Sequence, residues 1–555
     1  MLLKKIVIIG GVAAGASCAA RLRRLDEKAE IIVLERGEYI SFANCGLPYY
    51  IGGVIARRQN LLLNSPESLR SRFNIDVRIM NEVTSILPAE KTIEIKDLNS
   101  GDNYRESYDY LVLAPGAAAT DPGISGSDRP NVFKLRNIPD TDQIKEYIMT
   151  RQPRQGVVLG AGFIGLEMLE MLHSAGLKVS LVESGPQVMR MLDPEMAAIL
   201  QQYLRHQGID LFLNAKAVTM DGETEAKSVV LEDGRSLPAD IVVMGLGVKP
   251  ENALARNAGL DLGPTGGVIV NDFLQTSDPY IYAAGDVIES SNFFTGEARH
   301  FPMASPANRQ GWLVAGNIAG TSRPYPGVQG TSIVKVLDMV AAGTGQNEKD
   351  LQRLGQPYLC CHLHPSSHAT YYPGASMMTL KLIFSPEEGH LLGAQIVGFD
   401  GVDKRIDVLA TAMRAGLTID DLQELELAYA PPFSSAKDPV NMAAYVAGNI
   451  LDGNVDVVYW WQVAKRMEDG SILIDVRTPA ESAAGMVPGA INIPIDSIRD
   501  KLDHIPRDRE LMVYCRVGQR SYIASRILKQ HGFNVKNISG GYLLYQPWQA
   551  EQNNK

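Results

Sequence analysis

Cysteine is scarce in this 555-residue chain, with five residues at positions 18, 45, 360, 361 and 515. An odd, small number without regular spacing excludes a disulfide-stapled scaffold. Positive charge is also in short supply. The formal net charge of −10 argues against a general nucleic-acid binder and leaves room only for local basic pockets. No uninterrupted apolar stretch is long enough to cross a bilayer. The opening Met-Leu-Leu-Lys-Lys-Ile-Val-Ile-Ile-Gly resembles the charged and apolar parts of a leader, but its apolar run soon stops at a Gly-rich turn. It reads as a buried strand, and a cytoplasmic location is expected. Low-complexity tracts and short solenoid repeats are missing as well.

What is present is length enough for about three or four domains, and one design used twice. Lys5-Ile-Val-Ile-Ile-Gly10 reads as a strand, Gly11 to Gly15 as a tight turn, Ala16 to Leu25 as a helix, and Ile31-Ile-Val-Leu-Glu35 as a second strand. The same order recurs at Gly156-Val-Val-Leu-Gly160, Ala161-Gly-Phe-Ile-Gly165 and Lys178-Val-Ser-Leu-Val-Glu183. Both are βαβ dinucleotide units. In the second, Gly160, Gly162 and Gly165 permit a tight turn, close approach of pyrophosphate, and close packing of helix on strand. Glu183 ends the second strand, where a carboxylate accepts from a ribose diol and repels a 2′-phosphate; NADH is favoured, with NADPH the alternative. The first unit has Val12 where the middle glycine belongs.

The second unit is expected to be inserted into the first. Asp240-Ile-Val-Val-Met-Gly-Leu-Gly247 closes one sheet, and Thr276 to Asp286 returns to the other. From about Gly330 to Gly448 strands at Leu380–Phe384 and Leu391–Val397 precede an amphipathic helix from Asp403 to Ala415, a separate α+β domain. A short polar connection near Leu451 to Val455 leads to a compact α/β tail.

Two further segments, Tyr110-Leu-Val-Leu-Ala-Pro-Gly116 and Tyr280-Ile-Tyr-Ala-Ala-Gly-Asp286, resemble the accessory signatures of two-domain FAD/NAD(P)H disulfide reductases. Asp286 is suited to holding a ribityl hydroxyl. The resemblance implies FAD in the first site and NAD(P)H in the second. It implies FAD contacts from Gly10, Gly11, Ala13, Ala14, Gly15, Glu35, Arg36, Asn44, Val83, Ala114, Gly116, Arg136, Gly285, Asp286 and Ala304. It also implies NAD(P)H contacts from Gly160, Gly162, Phe163, Ile164, Gly165, Glu183 and Gly247.

In that family a redox cysteine pair follows the FAD unit, the second cysteine five positions after the first. Here Cys45 has Tyr50 at that position. A lone thiol cannot store two electrons as an internal disulfide, so it shares them with a small thiol, a sulfane sulfur or its own sulfenic acid. Gly46-Leu-Pro48 should hand over to a helix, whose N-terminus would favour the thiolate. The segment Ser41 to Tyr50, with Tyr429-Ala-Pro-Pro-Phe-Ser-Ser-Ala-Lys-Asp-Pro439, closely resembles the coenzyme A-disulfide reductase branch, over residues 1 to about 448. That resemblance implies a homodimer with shared active sites. Each subunit supplies Tyr371 (or its neighbour Tyr372) and Tyr429 to the other, and coenzyme A is held by Ser17, Arg21, Arg24, Ser41, Phe42, Asn44, Arg72, Asn308 and Lys437.

In the tail, Tyr514-Cys-Arg-Val-Gly-Gln-Arg-Ser521 follows an apolar strand and precedes a helix. Such a loop turns successive N–H groups inward around the sulfur of Cys515, with Arg516 and Arg520 nearby. Asp475-Val-Arg-Thr-Pro-Ala-Glu481 and Gly485 to Asn492 complete a resemblance to rhodanese domains, with Cys515 and Arg520 catalytic. Its short loop favours sulfane-sulfur transfer over phosphate chemistry. Cys360 and Cys361 with His362, His364 and His368 match no closed zinc pattern and are expected on a strand and loop; no metal is expected. Cys18, Met189, Met191 and Met196 read as packing.

The expected fold class is α/β: two Rossmann-like domains for FAD and NAD(P)H, an α+β dimerisation domain and a C-terminal rhodanese domain. The boundaries are 1–150 with 251–328 for FAD, 151–250 for NAD(P)H, 329–448 for dimerisation, 449–460 for a linker and 461–555 for rhodanese. The expected activity is NADH-dependent reduction of coenzyme A persulfide or polysulfide to hydrosulfide through Cys45, with sulfur carried by Cys515. The alternatives are a coenzyme A-disulfide reductase and an NADH oxidase. The partners are small thiols and persulfides, without nucleic acid or membrane.

Overall fold

The computed structural model describes residues 4–554, so the outer ends of the first and last expected domains, residues 1–3 and 555, lie outside it. The chain divides into two compact units. One comprises residues up to 184 together with 212–330; the other comprises 185–211 together with 331 onward. The stretch 185–211, inside the span expected for the NAD(P)H domain, thus groups with the second unit.

The first unit holds two parallel sheets. In one, strands Ile281–Ala283, Tyr110–Leu113, Lys5–Ile9, Glu30–Glu35 and Asp76–Ile79 lie in that order. In the other, Lys178–Val182, Gln155–Leu159, Ile241–Met244 and Val132–Phe133 lie side by side. Ile6, Val7, Ile8, Val157, Val158 and Leu159 are buried, as expected of strands covered on both faces. The first sheet closes with Ile281–Ala283 only after the second is complete, so the second nucleotide unit is inserted into the first.

Small residues set how closely helices approach these sheets. A β-carbon on Gly15 would lie 1.8 Å from the Gly10 carbonyl oxygen, and one on Gly165 would lie 1.9 Å from that of Gly160. Neither position admits a side chain, so both helices, Ala13–Leu25 and Phe163–Ser174, sit hard against the preceding strand's end.

In the second unit, antiparallel strands run in the order Ser332–Val336, Met339–Gly345, Leu391–Gly398, Met378–Phe384 and Leu359–Leu363. The helix Val402–Arg414 packs on this sheet. A parallel sheet follows, ordered Val457–Val458, Val535–Ile538, Leu511–Tyr514, Ile472–Asp475 and Ile491–Asn492. Cys360 and Cys361 are buried on the edge strand Leu359–Leu363, and Cys18, Met189 and Met196 are core residues.

Three carboxylates, Asp193, Glu195 and Glu348, converge in this unit closely enough to surround a metal ion. A side chain fills that space. The ammonium of Lys381 lies 2.8 Å from Asp193 and 2.5 Å from Glu195 and also pairs with Glu348. Burial opposes the Lys381 charge, but the surrounding carboxylates outweigh it and hold its pKa well above that of a free lysine. Among the described residues, no helix is long and apolar enough to cross a membrane.

Candidate active sites

The nucleotide turns are built as dinucleotide sites require. At the second, Gly162 precedes the Phe163–Ser174 helix, and a β-carbon there would meet nothing within 4 Å. Space is therefore left over the helix N-terminus, where a pyrophosphate is stabilised by free N–H groups. The Glu183 carboxylate is held at its strand end by the Ala161 N–H at 2.8 Å. At the first turn Glu35 plays the same part, accepting from Gly11 and Gly37 at 2.9 Å each. Arg136 donates to Asp286 at 3.0 Å, bringing two expected flavin contacts together. Arg36 is turned to Glu251 at 2.6 Å. These residues fit FAD and NAD(P)H; bound there, the reduced nicotinamide would supply a hydride and the flavin would accept it and pass two electrons toward sulfur.

Beside the first turn lies a cavity of about 660 Å³. Its existence depends on a helix crossing. Gly311 of the Ala304–Ile318 helix faces Ala14 so closely that a β-carbon would sit 2.1 Å from the Ala14 carbonyl oxygen. That contact brings Asn308 to Ser17, whose hydroxyl donates at 2.5 Å. Five residues expected at the coenzyme A site line this cavity: Ser17, Arg24, Ser41, Arg72 and Asn308. Arg21 stands beside it, its guanidinium 3.8 Å from the centre of the Trp312 ring and its Nε buried without a hydrogen-bond partner. Phe42 pairs with Leu62 in an isolated bridge, and Asn44 opens the short turn of Cys45; neither lines the cavity. Lys437 lies in the second unit, over the Tyr445 ring.

Sequence reasoning missed Asn64, Arg309 and Trp312 on the cavity wall. Trp312 lies one helical turn after Asn308, so the spacing i, i+4 held a usable signal. Asn64 donates to the Ser41 hydroxyl at 3.1 Å through a tertiary contact with no local signature.

Cys45 is exposed in a single 3-10 turn, Asn44–Gly46, directly before the short helix Leu47–Ile51. The expected thiolate-favouring effect of that helix does not dominate. Partial desolvation pushes the thiol pKa up, Glu167 and Asp286 add to it, and Arg136 opposes them. A five-residue helix carries little dipole, and the burial of the thiol outweighs it, with the neighbouring carboxylates adding to the shift. Glu167 is itself raised to about 7 by burial and accepts from Tyr49 at 3.4 Å. Tyr50, at the place of an absent second cysteine, is covered by Lys145, whose ammonium is 4.0 Å from the ring centre.

In the second unit Tyr371 and Tyr429 are exposed and joined by a 2.9 Å hydrogen bond between their hydroxyls. That bond raises the Tyr371 pKa. Tyr372 packs edge-on to His368 instead.

Cys515 is fully buried at the end of Leu511–Tyr514. Its sulfur accepts from the Gly518 N–H at 3.1 Å and the Ser521 hydroxyl at 3.5 Å. Arg520 is clamped to both oxygens of Glu481 at 2.7 Å, while Arg516 is exposed. The Arg520 bond draws Glu481 down to about 2. Behind the loop Asp475 is buried and accepts from Arg477 at 2.7 Å, Ser482 at 2.8 Å and Tyr514 at 3.1 Å.

Two dinucleotide units, a lone cysteine and a sulfur-binding loop define a flavin-dependent oxidoreductase acting on sulfur. Residues 4–311 match the pyridine nucleotide-disulphide oxidoreductase family, residues 331–439 its dimerisation domain, and residues 461–547 the rhodanese-like domain. The chain belongs to the pyridine nucleotide-disulphide oxidoreductase family, in the form that carries a fused rhodanese domain. It is 38% identical over 450 residues to a coenzyme A disulfide reductase of Staphylococcus haemolyticus, covering 81% of this chain and all of the relative. Reduced CoADR-RHD of Bacillus anthracis has 49% identity and a TM-score of 0.97, with 99% of each chain covered. A NAD-dependent persulfide reductase from A. fulgidus has 38% identity and a TM-score of 0.92, covering 98% of this chain and 100% of that one. The protein is an FAD- and NAD(P)H-dependent enzyme that reduces a sulfur substrate.

Proposed function

We propose that the chain is a homodimeric, cytoplasmic NADH-dependent reductase of coenzyme A persulfide or polysulfide, with Cys45 as its redox thiol and Cys515 as a sulfur carrier. The observation that carries this reading is the presence, in one chain, of an exposed Cys45 without a second redox cysteine, an arginine-lined cavity whose wall includes Ser41 of the same segment, and a second cysteine seated in an anion-binding loop. Arg24, Arg72 and Arg309 suit the phosphates of coenzyme A, and Asn308 and Asn64 suit its polar groups. We assign FAD to 1–150 with 251–328, NAD(P)H to 151–250, dimerisation to 329–448 and sulfur transfer to 461–555.

In this scheme the Cys45 thiolate attacks the outer sulfur of a persulfide RSSH, forming a new S–S bond as RS⁻ leaves. Two electrons originating from NADH then break that bond, releasing hydrosulfide and restoring the thiolate. Tyr371 and Tyr429, supplied across the dimer, give a proton to the departing thiolate. The A. fulgidus persulfide reductase supports this choice. The S. haemolyticus coenzyme A disulfide reductase supports a second, in which the same Cys45 attacks the symmetric disulfide of coenzyme A.

The experiment compares NADH oxidation with coenzyme A persulfide, polysulfide, coenzyme A disulfide and oxygen, in the native chain, Cys45→Ser and Cys515→Ser. Cys45→Ser should abolish turnover of every sulfur substrate. Faster turnover of the symmetric disulfide than of any sulfane sulfur would overturn the preferred reading in favour of the second.

A further inference from the structure

The turn behind Cys515 is held by two histidines that belong to another sheet. Ser539, Gly540 and Gly541 follow the strand Val535–Ile538, and both glycines adopt positive φ, +78° and +56°. Past this turn the Tyr542 N–H donates to the Cys515 carbonyl at 2.8 Å, and the Leu543 N–H to the Arg516 carbonyl at 2.9 Å. The sulfur loop therefore takes its backbone position from the Gly540–Gly541 turn. A β-carbon on Gly541 would lie 2.7 Å from the Cys515 carbonyl oxygen, so the contact is as close as the chain allows.

That turn is gripped from the strand Leu359–Leu363 and the residue after it. His364 Nε2 meets the Gly540 carbonyl at 2.7 Å; the carbonyl only accepts, so Nε2 carries the hydrogen. Its Nδ1 meets the Thr379 hydroxyl at 2.9 Å, which fixes the ring. Burial draws His364 down to about 4, so the ring is neutral around pH 7. His362 takes hold one residue earlier. Its backbone N–H donates to the Ser539 hydroxyl at 3.0 Å, its Nδ1 meets the same oxygen at 2.9 Å, and its Nε2 donates to Glu195 at 3.1 Å. Every one of these groups is buried, so no water substitutes for a lost partner.

We propose that His362 and His364 are positioning residues for Cys515: the dimerisation sheet, through the Ser539–Gly540 turn, sets the geometry of the sulfur-binding loop. This rests on Cys515 being a sulfur carrier. Sulfur transfer there would proceed by attack of the Cys515 thiolate on a sulfane sulfur, forming a persulfide as the donor's thiolate or sulfite leaves. A nest that orients N–H groups at the sulfur loses effect when its backbone shifts by a fraction of an ångström.

The test uses the intact holoenzyme with thiosulfate and cyanide as probes, and iodoacetamide alkylation of Cys515 followed by peptide mass spectrometry across pH. His364→Leu removes the donor, His364→Gln keeps one, and Ser539→Ala releases His362. His364→Leu should lower kcat for thiocyanate formation roughly tenfold with a smaller change in the thiosulfate KM. It should also displace the alkylation profile to higher pH. His364→Gln should recover most of the loss, Ser539→Ala should fall between, and reduction of FAD by NADH should be unaltered in all three. Native kcat and native alkylation in both His364→Leu and Ser539→Ala would overturn the inference, as would equal losses in His364→Leu and His364→Gln. If the native chain itself forms no thiocyanate, Cys515 is not a thiosulfate-fed carrier, and the alkylation comparison alone decides the positioning role.

Discussion

Gly311 faces the Ala14 carbonyl oxygen across a helix crossing so tight that an added β-carbon would stand 2.1 Å from it. The arginine-lined cavity exists because these two helices touch there. Gly311→Val should force them apart, costing about 1–3 kcal/mol of stability by overpacking. It should also raise the KM for coenzyme A substrates more than that for polysulfide, measured by steady-state NADH oxidation alongside thermal unfolding.

The cavity's cations can be tested separately. Arg24→Ala and Arg72→Ala each remove a charged donor from its wall. Each should weaken coenzyme A persulfide by roughly tenfold in KM, the scale of one charge-assisted hydrogen bond. Inorganic polysulfide should be turned over with nearly native constants. Equal effects on both substrates would place the coenzyme A site elsewhere.

Glu167 gives the Cys45 environment a pH dependence of definite sign. Its pKa is raised from 4.5 to about 7, so the folded protein holds this proton more tightly than the unfolded chain. Its contribution to stability is therefore fully present below pH 4.5 and is lost as the pH climbs through about 7. Glu167→Gln should flatten stability over that window. Removing the negative charge should also speed iodoacetamide alkylation of Cys45 near pH 7, since Glu167 is one of the groups holding the thiol pKa up.

Glu481 works in the opposite direction. Its pKa is lowered from 4.5 to about 2 by Arg520, so the bridge stabilises the fold above pH 4.5 and that contribution fades as the pH falls toward 2. The pair is partly exposed, and its worth in stability is modest. Glu481→Gln should frees Arg520 from a bidentate clamp, and the expected result is a change in sulfur-transfer rate larger than any change in melting temperature.

Lys381 should prove far more costly to remove. Lys381→Met leaves Asp193, Glu195 and Glu348 facing one another without a cation. A loss on the order of 3–5 kcal/mol is expected, as for one broken partner of a buried ion pair. Chemical denaturation of the intact chain would measure it.

Much of the architecture was legible because glycine spacing and apolar runs are local. Gly160, Gly162 and Gly165 between two buried strands announce a dinucleotide turn, and Cys515 with Gly518 announces an anion-binding loop. The cavity was legible only in part. Ser17, Arg24 and Asn308 came from family resemblance, and Trp312 could have been added from its spacing to Asn308, while Asn64 joins the wall only through its tertiary contact with Ser41. The Cys45 environment was misjudged for a similar reason. Glu167 lies more than a hundred residues away and reaches the thiol's surroundings only after the second nucleotide unit is inserted into the first.

By itself the sequence determined the class of chemistry: two nucleotide turns, one redox cysteine lacking a partner at Tyr50, and one cysteine in a sulfur loop. These follow from residue identity at short spacing, where backbone geometry leaves few choices. Tertiary structure alone decided which charges surround each thiol, which arginines share one cavity, and that His362 and His364 reach the turn behind Cys515. Such contacts join residues far apart in the chain, and electrostatics and hydrogen bonding depend on distance in space.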